Sequence, residues 1–105
     1  MIKNSEFSKD DIQKIYKTIG KNVKKIREEK GISQLNLAMA IGHKSVGVIS
    51  NCELCLQNKH FNIEHLVKIA DILDVNIKDF LSTERESAIL VRALSTAFLD
   101  STPSL

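Results

Sequence analysis

Four side chains in the middle of the chain have types and spacing that could ligate a metal. Cys52, Cys55, His60 and His65 read C-x2-C-x4-H-x4-H. Two thiolates and two imidazoles suit tetrahedral zinc. Against this, the glycines of a zinc knuckle are missing. Cys52 also falls where a helix needs a small apolar core residue, and His65 falls inside a later helix. A buried thiol packs as a small hydrophobe. No metal and no cofactor are therefore expected. A redox Cys-x-x-Cys is disfavoured too, because no βαβ pattern surrounds it. The chain shows no nucleophile–base pair, phosphate-cradling glycine loop or plausible carboxylate pair, so it does not read as an enzyme.

The remaining polar residues suit recognition. The run Ile32 to Glu53 reads as two short helices joined by a tight turn. Ser33 is a good N-cap, since its hydroxyl accepts from first-turn amides. Leu35, Leu37, Ala38 and Ile41 give the first helix, over 34–41, its apolar positions. Gly42 then stands where a left-handed cap wants glycine. Ser45 would cap a second helix over 45–54, with Val48, Ile49 and Cys52 on one side. Helix, glycine turn, helix is the arrangement whose second helix enters the DNA major groove.

That second helix should expose Val46, Gly47, Ser50 and Asn51, with His43, Lys44 and Ser45 in the turn before it. Asparagine pairs bidentately with adenine, serine bonds base edges, and valine packs on a thymine methyl. Gly47 would let the helix come close to the groove. No arginine lies on this face, so DNA shape should supply much of any specificity. Gln57, Asn58 and Lys59 flank the helix in a polar loop over 55–61. Such loops grip phosphates, although polar loops are also simply solvated.

The other elements must hold this unit. Ser8, with Asp10 and Asp11 behind it, opens a helix that follows Ile12, Ile15, Tyr16, Ile19, Val23 and Ile26 to Lys30. Gly20 weakens it and could kink it. Gly31 ends it. Asn62 caps a fourth helix with an apolar stripe of Ile63, Leu66, Val67, Ile69, Ala70 and Leu73. Asn76 caps a short fifth over 77–81. Thr83 and Glu86 match a capping box ahead of a sixth over 88–99. The tail 100–105 should fray. The expectation is an all-α protein.

At 105 residues the chain suits one domain with a terminal appendage. Its hydrophobic fraction of 43%, with only 5% aromatics, calls for an aliphatic core. No apolar run approaches the roughly 18 residues of a membrane span. The first eleven residues lack a signal-peptide pattern, so a cytoplasmic protein with reduced cysteines is expected. Net charge is +2, unevenly spread: residues 1–30 carry +4, residues 31–81 carry −1 and residues 82–105 carry −1. The first helix holds Lys14, Lys17, Lys21, Lys24, Lys25 and Lys30. Such a face suits phosphates, and equally plain solvation.

The run Ile19-Gly20-Lys21-Asn22-Val23-Lys24-Lys25-Ile26-Arg27-Glu28-Glu29-Lys30-Gly31-Ile32-Ser33-Gln34, joined to Leu37-Ala38, Gly42, Ile49-Ser50, Glu53 and 66–73, resembles the Cro/phage-repressor (XRE) family. The resemblance spans residues 19–81. It implies a five-helix DNA-binding domain that works as a dimer on a two-fold operator. Residues 1–18 would extend the first helix, and 82–105 would add a C-terminal helix and tail. Ser33-Gln34 is the family's strongest local mark, and Gln34 would reach a phosphate from the helix N-terminus. The resemblance implies a structural ion pair between Arg27 and Glu53. Three features depart from the family pattern. The turn after Gly42 is one residue longer than the commonest form, Cys55 stands where glycine is usual, and the following loop is about two residues longer.

In the last helix Ala88, Leu90, Val91, Leu94, Ala97 and Phe98 are apolar, and only Arg92 is charged. This face either folds back on its own domain or pairs across a two-fold axis. Dimerisation through Leu90, Val91, Leu94, Ala97 and Phe98 is expected. The implied function is a sequence-specific regulator, a repressor or autoregulator, bound to double-stranded DNA as a homodimer. The alternative is an antitoxin or other protein-interaction module that uses the domain for autoregulation, with a protein partner on the C-terminal helix.

Overall fold

The computed structural model describes residues 2–82. Its element order is α1 (Lys9–Glu29), α2 (Gln34–Ala40), α3 (Gly47–Leu54), a short 3-10 turn over Leu56–Asn58, α4 (Ile63–Leu73), then a second 3-10 turn over Ile77–Phe80. No strand occurs among the described residues. No described helix is long and apolar enough to cross a membrane. The fifth helix expected from the sequence is thus a single 3-10 turn. Asn76 does cap it, its N–H donating to Asp79 Oδ2 at 3.2 Å, but four residues allow only the tighter hydrogen-bonding pattern. The expected sixth helix, with its dimerisation residues, lies outside the described residues.

Local chemistry sets the helix ends. Ser8 Oγ accepts from the Asp11 N–H at 3.1 Å, while Asp11 Oδ2 accepts from the Ser8 N–H at 2.8 Å. These bonds to the charged form hold the Asp11 carboxyl below its ordinary pKa, the Ser8 backbone N–H contributing most. At the other end Gly31 is left-handed at φ 71°. The Ile32 N–H donates to Arg27 O at 3.1 Å and the Gly31 N–H to Glu28 O at 3.0 Å, a Schellman closure. Asn62 starts α4, its Oδ1 accepting from the His65 N–H at 2.8 Å.

Gly20 does not kink α1, which runs unbroken from Lys9 to Glu29. The core it packs on contains Ile19, Val23, Leu37, Ile49, Phe61, Leu66, Ile69, Leu73 and Phe80. α1 lies against α3 and the 3-10 turn Ile77–Phe80, and α2 lies against α3 and α4. Buried Asn22 ties the far end of the domain to α1. Its Nδ2 donates to Phe80 O at 3.0 Å and also to Ser82 O. No local sequence signal marks that role, because the partners are about sixty residues away.

A candidate nucleic-acid interface on α2 and α3

Ser33 Oγ accepts from the Asn36 N–H at 3.0 Å, which starts α2. Gly42, at φ 91°, stops it. The His43 N–H donates to Ala38 O at 2.8 Å and the Gly42 N–H to Met39 O at 3.0 Å. This second Schellman closure turns the chain toward α3. α3 begins at Gly47, two residues later than expected. Ser45 does not cap it. Its Oγ accepts only from the Gly47 N–H, at 3.1 Å, and so closes a local serine turn, while Val46 is the cap residue and makes no side-chain bond. The longer turn after Gly42 takes up those residues.

Lys44, Ser45 and Val46 are exposed at the start of α3, and His43, Gly47, Ser50 and Asn51 are half-buried. Ser50 Oγ donates to Gly47 O at 3.3 Å, which leaves its lone pairs as acceptors. A Cβ at Gly47 would meet nothing closer than Ser45 Oγ at 3.4 Å, so the fold itself does not require glycine there. Asn58 and Lys59 are exposed in the loop after α3. The structure therefore sets His43–Gly47, Ser50 and Asn51 along one turn and helix start, with Asn58 and Lys59 on the following loop.

Arg27 and Glu53 join α1 to the end of α3. Arg27 Nε donates to Glu53 Oε2 at 2.7 Å and Nη2 to Oε1 at 3.1 Å. Nη1 donates to Ile32 O at 2.8 Å. Arg27 is 6% and Glu53 3% exposed, so this is a desolvated, bidentate pair with both carboxylate oxygens engaged. Gln34 belongs to the same network. Its Nε2 donates to Glu53 Oε1 at 2.9 Å. One amide hydrogen of Gln34 thus points inward to the ion pair, an arrangement that the motif alone did not reveal.

The residues of the metal-like spacing go to separate tasks. Cys52 is in the core, and Cys55 Sγ donates weakly to Cys52 O at 3.8 Å. Burial raises both thiol pKa values. His60 stacks on Tyr16 with ring centroids 3.6 Å apart. His65 Nδ1 accepts from the Asn62 N–H at 3.2 Å. No group of three or more such ligands converges among the described residues. His65 also lies 5.5 Å from His43, ring centroid to ring centroid. Burial, and then the neighbouring His43, lowers the pKa of His65. On α1, Lys21, Lys24 and Lys25 line a shallow groove together with Glu28 and Glu29, so the charge there is mixed.

Two short helices, a glycine-capped turn and an exposed start to the second helix define a helix-turn-helix domain. The chain matches the helix-turn-helix family model HTH_3 over residues 23–80 and belongs to that family, of the Cro/C1 (XRE) type. The family's domain binds DNA and is not enzymatic. No curated protein and no solved structure gives a significant match.

Proposed function

We propose that this protein is a sequence-specific transcriptional regulator, a repressor or autoregulator, that sets α3 in the major groove and acts as a homodimer on a two-fold site. The observation that carries the proposal is the exposed turn Lys44–Val46 leading into α3 and its half-buried polar Ser50 and Asn51, on a helix anchored by the buried Arg27–Glu53 pair. In this proposal Asn51 pairs with an adenine edge, Ser50 accepts from a base donor and Val46 packs on a thymine methyl. Gly47 permits close approach. Gln34 turns its second amide hydrogen to a phosphate, while His43, Lys44, Ser45, Asn58 and Lys59 hold the backbone on either side. Leu90, Val91, Leu94, Ala97 and Phe98 supply apolar contact to the second copy.

The test is binding to the DNA upstream of the protein's own gene, with random DNA as competitor, across a salt series. Salt-sensitive binding that survives competitor, with a two-fold footprint, is expected. Binding abolished by competitor would remove specificity at that site. No binding even at low salt would overturn the DNA-binding proposal.

A further inference from the structure

One stripe of α1 runs Ile12, Ile15, Ile19, Asn22 and Ile26, at alternating spacings of three and four that keep all five on one side of the helix. The stripe changes character along its length. Ile19 is 6% exposed, yet Ile15 is 44% and Ile12 is 41% exposed. The two outer isoleucines continue the core face of α1 beyond the described core. Isoleucine pairs on the core side of a helix need a cover.

The chain itself leads to that place. Asn22 Nδ2 donates to Ser82 O, so the described part ends directly on this stripe. Ile15 lies two turns from Asn22, roughly 10 Å along the axis, and Ile12 roughly 15 Å. Residues 83–87 alone span up to about 17 Å when extended. The run that follows, 88–99, is apolar apart from Arg92, Ser95 and Thr96.

We propose that residues 88–99 lie on the outer half of α1 of the same chain and cover Ile12 and Ile15. On helical spacing the apolar residues of that run occupy more than half of the circumference. One side can therefore cover α1 while the other faces a second copy, which keeps the inference independent of how the protein dimerises and of whether it binds DNA.

Disulfide trapping in the full chain tests this. In a Cys55→Ser background, Ile15→Cys is combined in turn with Ile89→Cys, Ala93→Cys and Thr96→Cys, which on helical spacing lie on the side of the run away from Leu90, Leu94 and Phe98. After mild oxidation the products are weighed without reductant. An intrachain disulfide from at least one pair, and none from exposed Lys17→Cys, about 160° round α1 from Ile15, is expected. Cross-links only between chains would make a second copy the occupant and overturn the proposal, as would no cross-link at all. Hydrogen exchange gives a readout that needs no oxidation. In the full-length Ile89→Asp protein, amides of 12–18 should exchange at least tenfold faster, with α3 and α4 unchanged. Unchanged exchange in 12–18 would overturn the proposal.

Discussion

A Cβ on residue 20 would lie 2.5 Å from the carbonyl oxygen of Glu53 and 2.7 Å from that of Cys52. Gly20 is thus the point at which α1 touches the backbone of α3. Alanine would add up to about 1 kcal/mol of helix propensity. Overpacking a well-filled contact costs about 1–3 kcal/mol, and backbone atoms cannot rotate aside as a side chain can. Gly20→Ala should therefore lose about 1–2 kcal/mol in urea unfolding. A variant as stable as the parent would show that the contact does not constrain the packing.

Arg27 and Glu53 share the same helix pair, and their burial decides the size of the effect. Losing one member of a desolvated pair costs about 3–5 kcal/mol, because the other charge stays buried and unpaired. Arg27→Met and Glu53→Met should each fall in that range. The double variant should recover much of the loss, but not all, since Ile32 O and Gln34 Nε2 also lose their partner. Simple additivity in a double-mutant cycle would count against coupling.

Periodicity and caps made much of this fold legible. The helix starts at Ser8, Ser33 and Asn62 and the stops at Gly31 and Gly42 follow from local hydrogen bonding, which sequence records directly. Tertiary contacts were less legible. Gly20 looked like a weakness because propensity is local, whereas its role is a close approach to a residue 33 positions later. Asn22 gave no signal for the same reason. Ser45 misled in a different way, for its hydroxyl bonds the Gly47 N–H in a local turn that competes with helix entry. In the candidate interface, the inward bond of Gln34 needed the position of Glu53.

His65 links stability to pH. Its neutral Nδ1 accepts the Asn62 N–H, and burial together with His43 lowers its pKa below the ordinary 6.5. The unfolded chain therefore takes up this proton at a higher pH than the native one. Stability from this group is complete above 6.5 and is lost as pH falls through the lowered native value. His60, Glu64 and Lys68 also act on this ring, Glu64 in the opposite sense. His65→Gln keeps an acceptor at the third helical position without titrating there. Urea midpoints from pH 8 to pH 5 should fall less steeply for His65→Gln than for the parent.

Fold and recognition separate cleanly at three positions of the proposed interface. Gly47→Ala meets no backbone, so stability should hold or rise slightly while DNA affinity drops if close approach matters. Asn51→Ala should relax preference at one base pair, by about 1–3 kcal/mol of discrimination. Lys44→Ala should weaken all sequences alike and lower the salt slope by roughly one. Binding titrations on a selected site and its single-base variants check all three. An Asn51→Ala protein with unchanged base preferences would remove that residue from readout.

Cys55 ends α3 in a conformation that favours glycine, at φ 53° and ψ 41°. Its N–H donates to Asn51 O, so the left-handed turn satisfies a carbonyl of the last helical turn. A residue with a Cβ pays roughly 1–2 kcal/mol for that conformation, while glycine gives back roughly 0.5–1 kcal/mol through its freer unfolded chain. Cys55→Gly should therefore gain about 0.5–1 kcal/mol. The thiol does little, since it is a weak donor at 3.8 Å from Cys52 O. Cys55→Ala removes the thiol but keeps the Cβ, so it should show no such gain. Denaturant midpoints of the two variants separate backbone from side chain. If alanine gained as much as glycine, the benefit would come from losing the sulfur, and the left-handed cap would carry no strain.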